Sequence, residues 1–198
     1  INNAAFSAPG GFFFSEANDS NITNNIAYNI TGTGFFLENT TVNISLFNIT
    51  SFNNTRYGVH INATNDNNVS FSNISNNSLG GIYIERGSSG NRIFSNTIYN
   101  HTAPAILVEL VNAVNRIYDN LFLDNNTYGI YLNSSNLTNI TNNILILNTN
   151  TGVFLNNSFN NNVTNNTARN NSLFNYVIFL SNDNNLSYNI ANNSQIGF

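Results

Sequence analysis

Cysteine, methionine, tryptophan and lysine are absent from this chain of 198 residues, proline occurs twice, and charged residues make up only 7%. Without cysteine there is no disulfide and no thiolate chemistry, and without cysteine or methionine the soft sulfur ligands of copper are missing. The five basic residues are all arginine (Arg56, Arg86, Arg92, Arg116, Arg169), scattered under a formal charge of −4. No basic patch for nucleic acid exists, so that partner is excluded. No apolar run reaches the roughly eighteen residues that would span a membrane. An initiator methionine and a signal peptide are also missing, which reads as a processed chain or a piece of a longer one.

What the chain does contain is one phrase, repeated. A short apolar run, usually after glycine, recurs as GFFFS from Gly11, GFFLE from Gly34, GVHIN from Gly58, GIYIE from Gly81, AILVE from Ala105, GIYLN from Gly129, GVFLN from Gly152 and VIFLS from Val177, and a ninth begins at Gly197. Successive markers are 23, 24, 23, 24, 24, 23 and 25 residues apart. A fixed period of this length signals a repeat architecture. Within each marker the first and third residues after the glycine are apolar, the alternation of a strand with one buried face. Such a unit has no room for a βαβ crossover of about thirty residues. One coil cannot repay its own ordering entropy, whereas stacked coils cover each other's core and pair each other's backbone. The expected fold is all-β: a single-stranded right-handed parallel β-helix, or β-solenoid, of about eight coils of 23–25 residues, forming one domain over residues 1–198.

A second column follows an apolar residue and two or three mostly polar ones, in ITNNI, ISLFNI, VSFSNI, IFSNT, IYDNL, ITNNI, VTNNT and LSYNI. Its asparagines, Asn25, Asn48, Asn73, Asn96, Asn120, Asn143, Asn166 and Asn189, are read as an inward ladder. Asparagine tolerates a left-handed corner, and its amide can bond the same amide one coil away. Asn126 is read instead as an exposed turn residue. The units N-x-V-S-F-S-N-I-S-N-N (Asn67 to Asn77) and N-R-I-F-S-N-T-I-Y-N (Asn91 to Asn100) resemble the right-handed parallel β-helix repeats of NosD-like and pectate-lyase-like proteins, and the resemblance covers nearly the whole chain. The resemblance implies the fold. It implies no single function, because that superfamily contains lyases, hydrolases, tailspikes, adhesins and surface proteins.

Asparagine numbers 50 and serine plus threonine 36, from which chance gives about nine Asn-x-Ser/Thr triplets, whereas 22 occur. Either the turn residues of a repeat multiply one triplet, or these are acceptors for N-linked glycans on a secreted or cell-surface chain; the second reading is preferred. The candidates are Asn18, Asn21, Asn29, Asn39, Asn43, Asn53, Asn62, Asn68, Asn76, Asn100, Asn125, Asn133, Asn136, Asn139, Asn156, Asn162, Asn165, Asn170, Asn185 and Asn192. Asn48 and Asn73 are set aside because the ladder would bury them.

The second marker position should point outward, yet it reads Phe13, Phe36, His60, Tyr83, Leu107, Tyr131, Phe154 and Phe179. So long an exposed apolar row marks an interaction surface, and protein packing is the preferred occupant. The fourth position places Glu85 and Glu109 one strand spacing apart, with Glu38 in the same column. Stacked glutamates on a strand face are more often solvated surface than an acid–base pair. The two histidines, His60 and His101, fall in different parts of the coil and leave no metal site. The sequence thus favours an extracellular, heavily N-glycosylated structural solenoid. It would carry no cofactor and no catalytic residue, and would self-associate head to tail as a subunit of a surface filament, sheath or layer. The alternative is a carbohydrate-binding or carbohydrate-cleaving β-helix using the face around Glu38, His60, Tyr83, Glu85 and Glu109.

Overall fold

The computed structural model describes residues 2–196, so the ninth marker at Gly197 lies outside the described residues. Among those residues there is no helix, and every named strand pairs in parallel with the equivalent strand of the next coil. Three sheets of nine, eight and eight strands run the length of a right-handed solenoid of about eight turns. In one turn the chain passes from a marker strand such as Tyr128–Asn133 to a second strand, Asn139–Thr141. It then bends sharply into a third, Ile144–Ile146, and reaches the next marker strand, Thr151–Asn156. We call the three sheets the marker, lead and closing sheets.

Alternation fixes what each strand buries. From the coil just described, Ile130, Leu132, Ile140 and Leu145 are fully buried, and the same four positions recur in its neighbours. Glycine heads most markers because backbones converge there: a Cβ on Gly129 would lie 2.6 Å from Leu145 Cδ2 and 2.7 Å from the Gly152 carbonyl oxygen.

Polar corners complete the core, and here the structure corrects the sequence reading. At the lead-to-closing bend two consecutive residues divide the work. The first takes the left-handed conformation (Asn24, Asn48, Asn142 and Asn165, at φ 59°, 52°, 56° and 57°), and the second turns inward. The inward column is Asn25, Ile49, Ser72, Asn96, Asn120, Asn143, Asn166 and Asn189, with side-chain amides linked at 3.0 Å from Asn96 to Asn120, Asn143, Asn166 and Asn189. Asn48 and Asn73 are not in it. Asn48 is the exposed corner and Asn73 an exposed strand residue. The strand register pairs Leu46, not Ile44, with Ile22, so Asn48, reached by counting from Ile44, falls one residue short of the ladder position, which Ile49 fills.

Two further ladders escaped the sequence reading. Asn54, Asn77, His101, Asn126, Asn148 and Asn171 line the corner after the closing sheet, and Asn67, Asn91, Asn115, Asn161 and Asn184 the corner before the lead sheet. Asn126, expected on an open turn, is completely buried there. His101 substitutes for asparagine atom by atom: Nδ1 accepts the Asn77 N–H at 3.1 Å, as an amide oxygen would, and Nε2–H donates to the Ile74 carbonyl at 3.3 Å.

The last coil differs as well. Val153 pairs with Tyr176 and Leu155 with Ile178, so the marker strand is Phe174–Phe179, two residues earlier than the VIFLS reading places it. Asn175 stands where glycine stood, and the Tyr176 ring fills the core while its hydroxyl donates to the Asn166 carbonyl at 2.9 Å.

Candidate functional site

The outer face of the marker sheet carries two columns side by side. Aligned strands set Phe13, Phe36, His60, Tyr83, Leu107, Tyr131, Phe154 and Val177 in one, and Ser15, Glu38, Asn62, Glu85, Glu109, Asn133, Asn156 and Phe179 in the other. Phe179 therefore belongs to the polar column and not to the aromatic one, a consequence of the shifted last strand.

The aromatic column is less open than a free apolar patch would be. Its rings stack at the strand spacing: Phe36 on His60 at 4.6 Å, His60 on Tyr83 at 4.9 Å and Tyr131 on Phe154 at 5.0 Å between centroids. A second tier closes over it, Tyr57 lying 4.7 Å from Tyr83 and Tyr128 5.1 Å from Tyr131. Tyr83 keeps only 8% exposure, and of the eight residues named from the sequence Phe13 and Phe179 alone stay widely exposed. The broad protein-packing surface is thereby reduced to a stacked, half-buried row.

From Glu85 to Asn156 the polar column is linked by hydrogen bonds. His60 Nε2 lies 2.9 Å from Glu85 Oε1, and the Tyr83 hydroxyl lies 3.0 Å from Glu85 Oε2 and 2.7 Å from Glu109 Oε2. Asn133 donates to Glu109 Oε1 at 2.7 Å, and Asn156 donates to Asn133 at 3.0 Å. Glu38 stands apart and bonds only its neighbour Asn39. The side-chain oxygen Oδ1 of Asn62, aligned with Glu85, is buried without a partner among the described residues. Arg86 reaches Glu85 from the solvent side at 3.4 Å. A cleft of ≈ 430 Å³ opens beside His60, with Phe13, Phe36 and Arg56 among its walls.

Electrostatics follow from this crowding. Burial, then the hydrogen bonds to Glu109 and Glu85, push the Tyr83 phenol far above its ordinary range, so it stays protonated. Burial lowers His60, against the opposing pull of Glu85. Tyr57 is raised by burial and by the two glutamates. A phenol has one proton and cannot donate it to two carboxylates at once.

The candidate glycan acceptors are all exposed or half-buried. Asn62, Asn133 and Asn156, however, sit inside the polar column, where a covalent glycan would cover the site.

No curated protein sequence matches the chain. Among solved structures, the A-module of a mannuronan C-5 epimerase from Azotobacter vinelandii superposes with a TM-score of 0.77 at 14% identity, covering 91% of this chain and 62% of that one. A periplasmic alginate epimerase gives 0.66 at 17%, covering 93% and 50%. PfbA, a surface adhesin of Streptococcus pneumoniae, gives 0.68 at 12%, covering 96% and 64%. The chain thus spans half to two thirds of the length of these structures. At such identities the likeness is one of fold; that two structures sharing it are epimerases counts against the expectation that this chain is not an enzyme.

The family described as "Periplasmic copper-binding protein (NosD)" matches residues 1–128. The donor set does not fit copper: among the described residues no three His, Cys, Asp or Glu side chains gather as ligands, His101 is consumed in a corner ladder, and His60 is paired with Glu85. Matched over residues 1–128 and built from the same coil throughout, the chain belongs to the NosD family of parallel β-helix repeat proteins.

Proposed function

We propose that this chain is a carbohydrate-active β-helix of the cell envelope or exterior that binds a glycan along the marker sheet and acts on it by proton transfer. The observation that carries the reading is the Tyr83 hydroxyl placed between Glu85 and Glu109, at 3.0 and 2.7 Å. The phenol links the two carboxylates as an acid–base pair about one strand spacing apart. A proton that one glutamate gives to a departing glycan oxygen is replaced from Tyr83, which recovers one that the other glutamate has taken from the glycan or from water. The stacked aromatics offer sugar faces a platform, and Asn156 offers a hydroxyl partner. The periplasmic description of the family and the epimerase and adhesin neighbours agree with this class and location.

The test is product release from a polysaccharide panel, read as reducing ends and as unsaturated sugar absorbance. Turnover by the wild-type chain that is lost in Glu85→Gln and Glu109→Gln supports the reading. Unchanged turnover in both variants ends it.

N-glycosylation outside the polar column has its own support, since none of the twenty acceptor candidates is buried. Head-to-tail stacking into a surface filament or layer is the finer part of that reading. Light scattering at high concentration tests it, and a strictly monomeric chain would retire it.

A further inference from the structure

A different face of the solenoid carries an unexplained feature. Arg92 and Arg116 are direct partners on adjacent strands of the lead sheet, side chains outward and exposed. Strand spacing sets their backbones about 4.8 Å apart, and like charges directly opposite each other destabilise a sheet. The chain has only five basic residues, yet two are stacked here. Neither makes an ion pair among the described residues, although Asp66 lines the adjoining hollow. One column over, Phe94 lies on Tyr118 with centroids 5.0 Å apart and planes within 5°, and Phe71 meets Phe94 edge-on at 6.0 Å. A shallow groove of ≈ 400 Å³ joins the two columns, lined by Arg92, Arg116, Tyr118, Asn139 and Thr141.

We infer that this groove binds an acidic sugar, its anionic group held between the two guanidiniums and its ring against Tyr118. The sugar class rests on the carbohydrate reading above; the anionic requirement rests on the arginine pair alone. Guanidinium forks match a carboxylate or sulfate bidentately, and one such group between them turns a repulsive pair into two charge-assisted contacts. The Asn139 amide and Thr141 hydroxyl are placed for ring hydroxyls. A neutral sugar leaves the repulsion in place. Nucleic acid demands more cations than two on a chain of net charge −4. The site lies on the lead sheet, whereas the glutamate row lies on the marker sheet, so it serves as a second foothold for an acidic polymer.

The experiment is calorimetric titration of the unglycosylated full chain, since a glycan on Asn139 would fill the groove. The probes are an oligouronate, a sulfated oligosaccharide and a neutral oligosaccharide of equal length. Binding of either acidic probe, weakened by added salt and reduced roughly tenfold or more in Arg92→Gln/Arg116→Gln, supports the site, and the tighter probe identifies the anionic group. The double variant should melt no lower than wild type, because it loses a repulsion. Equal binding of the neutral probe, or wild-type affinity in the double variant, overturns the proposal. Arginine-dependent binding without turnover retires the catalytic reading alone, and turnover without arginine-dependent binding retires this one alone.

Discussion

Replacing Asn120 by leucine removes one rung of a buried ladder, and the structure says what is stranded. The Asn120 carbonyl oxygen accepts from the Asn96 backbone N–H at 3.1 Å and from its side-chain amide at 3.0 Å. Its own amide donates to the carbonyls of Ile93 and Tyr118 and to Asn143, at 2.8, 3.0 and 3.0 Å. After the substitution the Asn96 amide keeps the Val69 carbonyl at 2.9 Å, and Asn143 Oδ1 keeps the Asn120 backbone N–H at 3.0 Å. The Asn96 backbone N–H keeps no such substitute, at a cost of about 1–3 kcal/mol. The branched side chain adds about 1–3 kcal/mol of overpacking. The sum, about 2–6 kcal/mol, corresponds to a fall in melting temperature of about 4–24 °C for a chain of this size. Asn126→Leu should cost as much, because Asn126 is equally buried and bonds Leu123, Asn148 and the His101 N–H. Asn73→Leu, on an exposed strand position, should change stability by less than about 0.5 kcal/mol. Thermal and urea unfolding followed by circular dichroism would compare the three. Equal midpoints for Asn120→Leu and Asn73→Leu would refute the ladder as the source of the stability.

His101 is buried, and burial holds its pKa at about 4, below the ordinary 6.5. The unfolded chain therefore takes up the proton first, so stability is complete above about pH 6.5 and declines as pH falls toward 4, by roughly 3 kcal/mol in all. His101→Asn, which restores the ladder's usual residue, should flatten that slope in urea midpoints measured from pH 7 to 4; an unchanged slope would place the titration elsewhere. Tyr83→Phe removes the bridge between Glu85 and Glu109 and should lower turnover by about tenfold to a hundredfold with an altered pH–rate profile, whereas a profile identical to wild type would exclude a relay. Glycopeptide mapping of material from a glycosylating host should find Asn48 and Asn73 as accessible as the other turn sites and Asn62 unmodified; occupancy at Asn62 would rule out an open site at the polar column.

The period, the number of coils, the parallel stacking and the inward alternation of the markers are legible in the residues alone. A repeat that must bury the same positions in every coil cannot vary them, and Ile130/Leu132 or Val153/Leu155 announce their direction without any partner. The glutamate column was legible for the same reason, since the fourth marker position is fixed by counting. What counting could not fix was register at the corners. Asparagine serves both as left-handed corner and as inward rung, in adjacent positions, so a slip of one residue turns Asn48 from surface into core; only strand pairing, with Leu46 opposite Ile22, decides it. In the last coil Tyr176 takes the place that Val153 has in the coil before, and Asn175 that of a glycine, erasing the marker that counting needs. The proton-sharing contact of Tyr83 with Glu85 and Glu109, and the stacking of Arg92 on Arg116, join side chains from different coils. Residues about one period apart in sequence become neighbours only when the solenoid closes, and which rotamer meets which depends on packing that no single repeat contains.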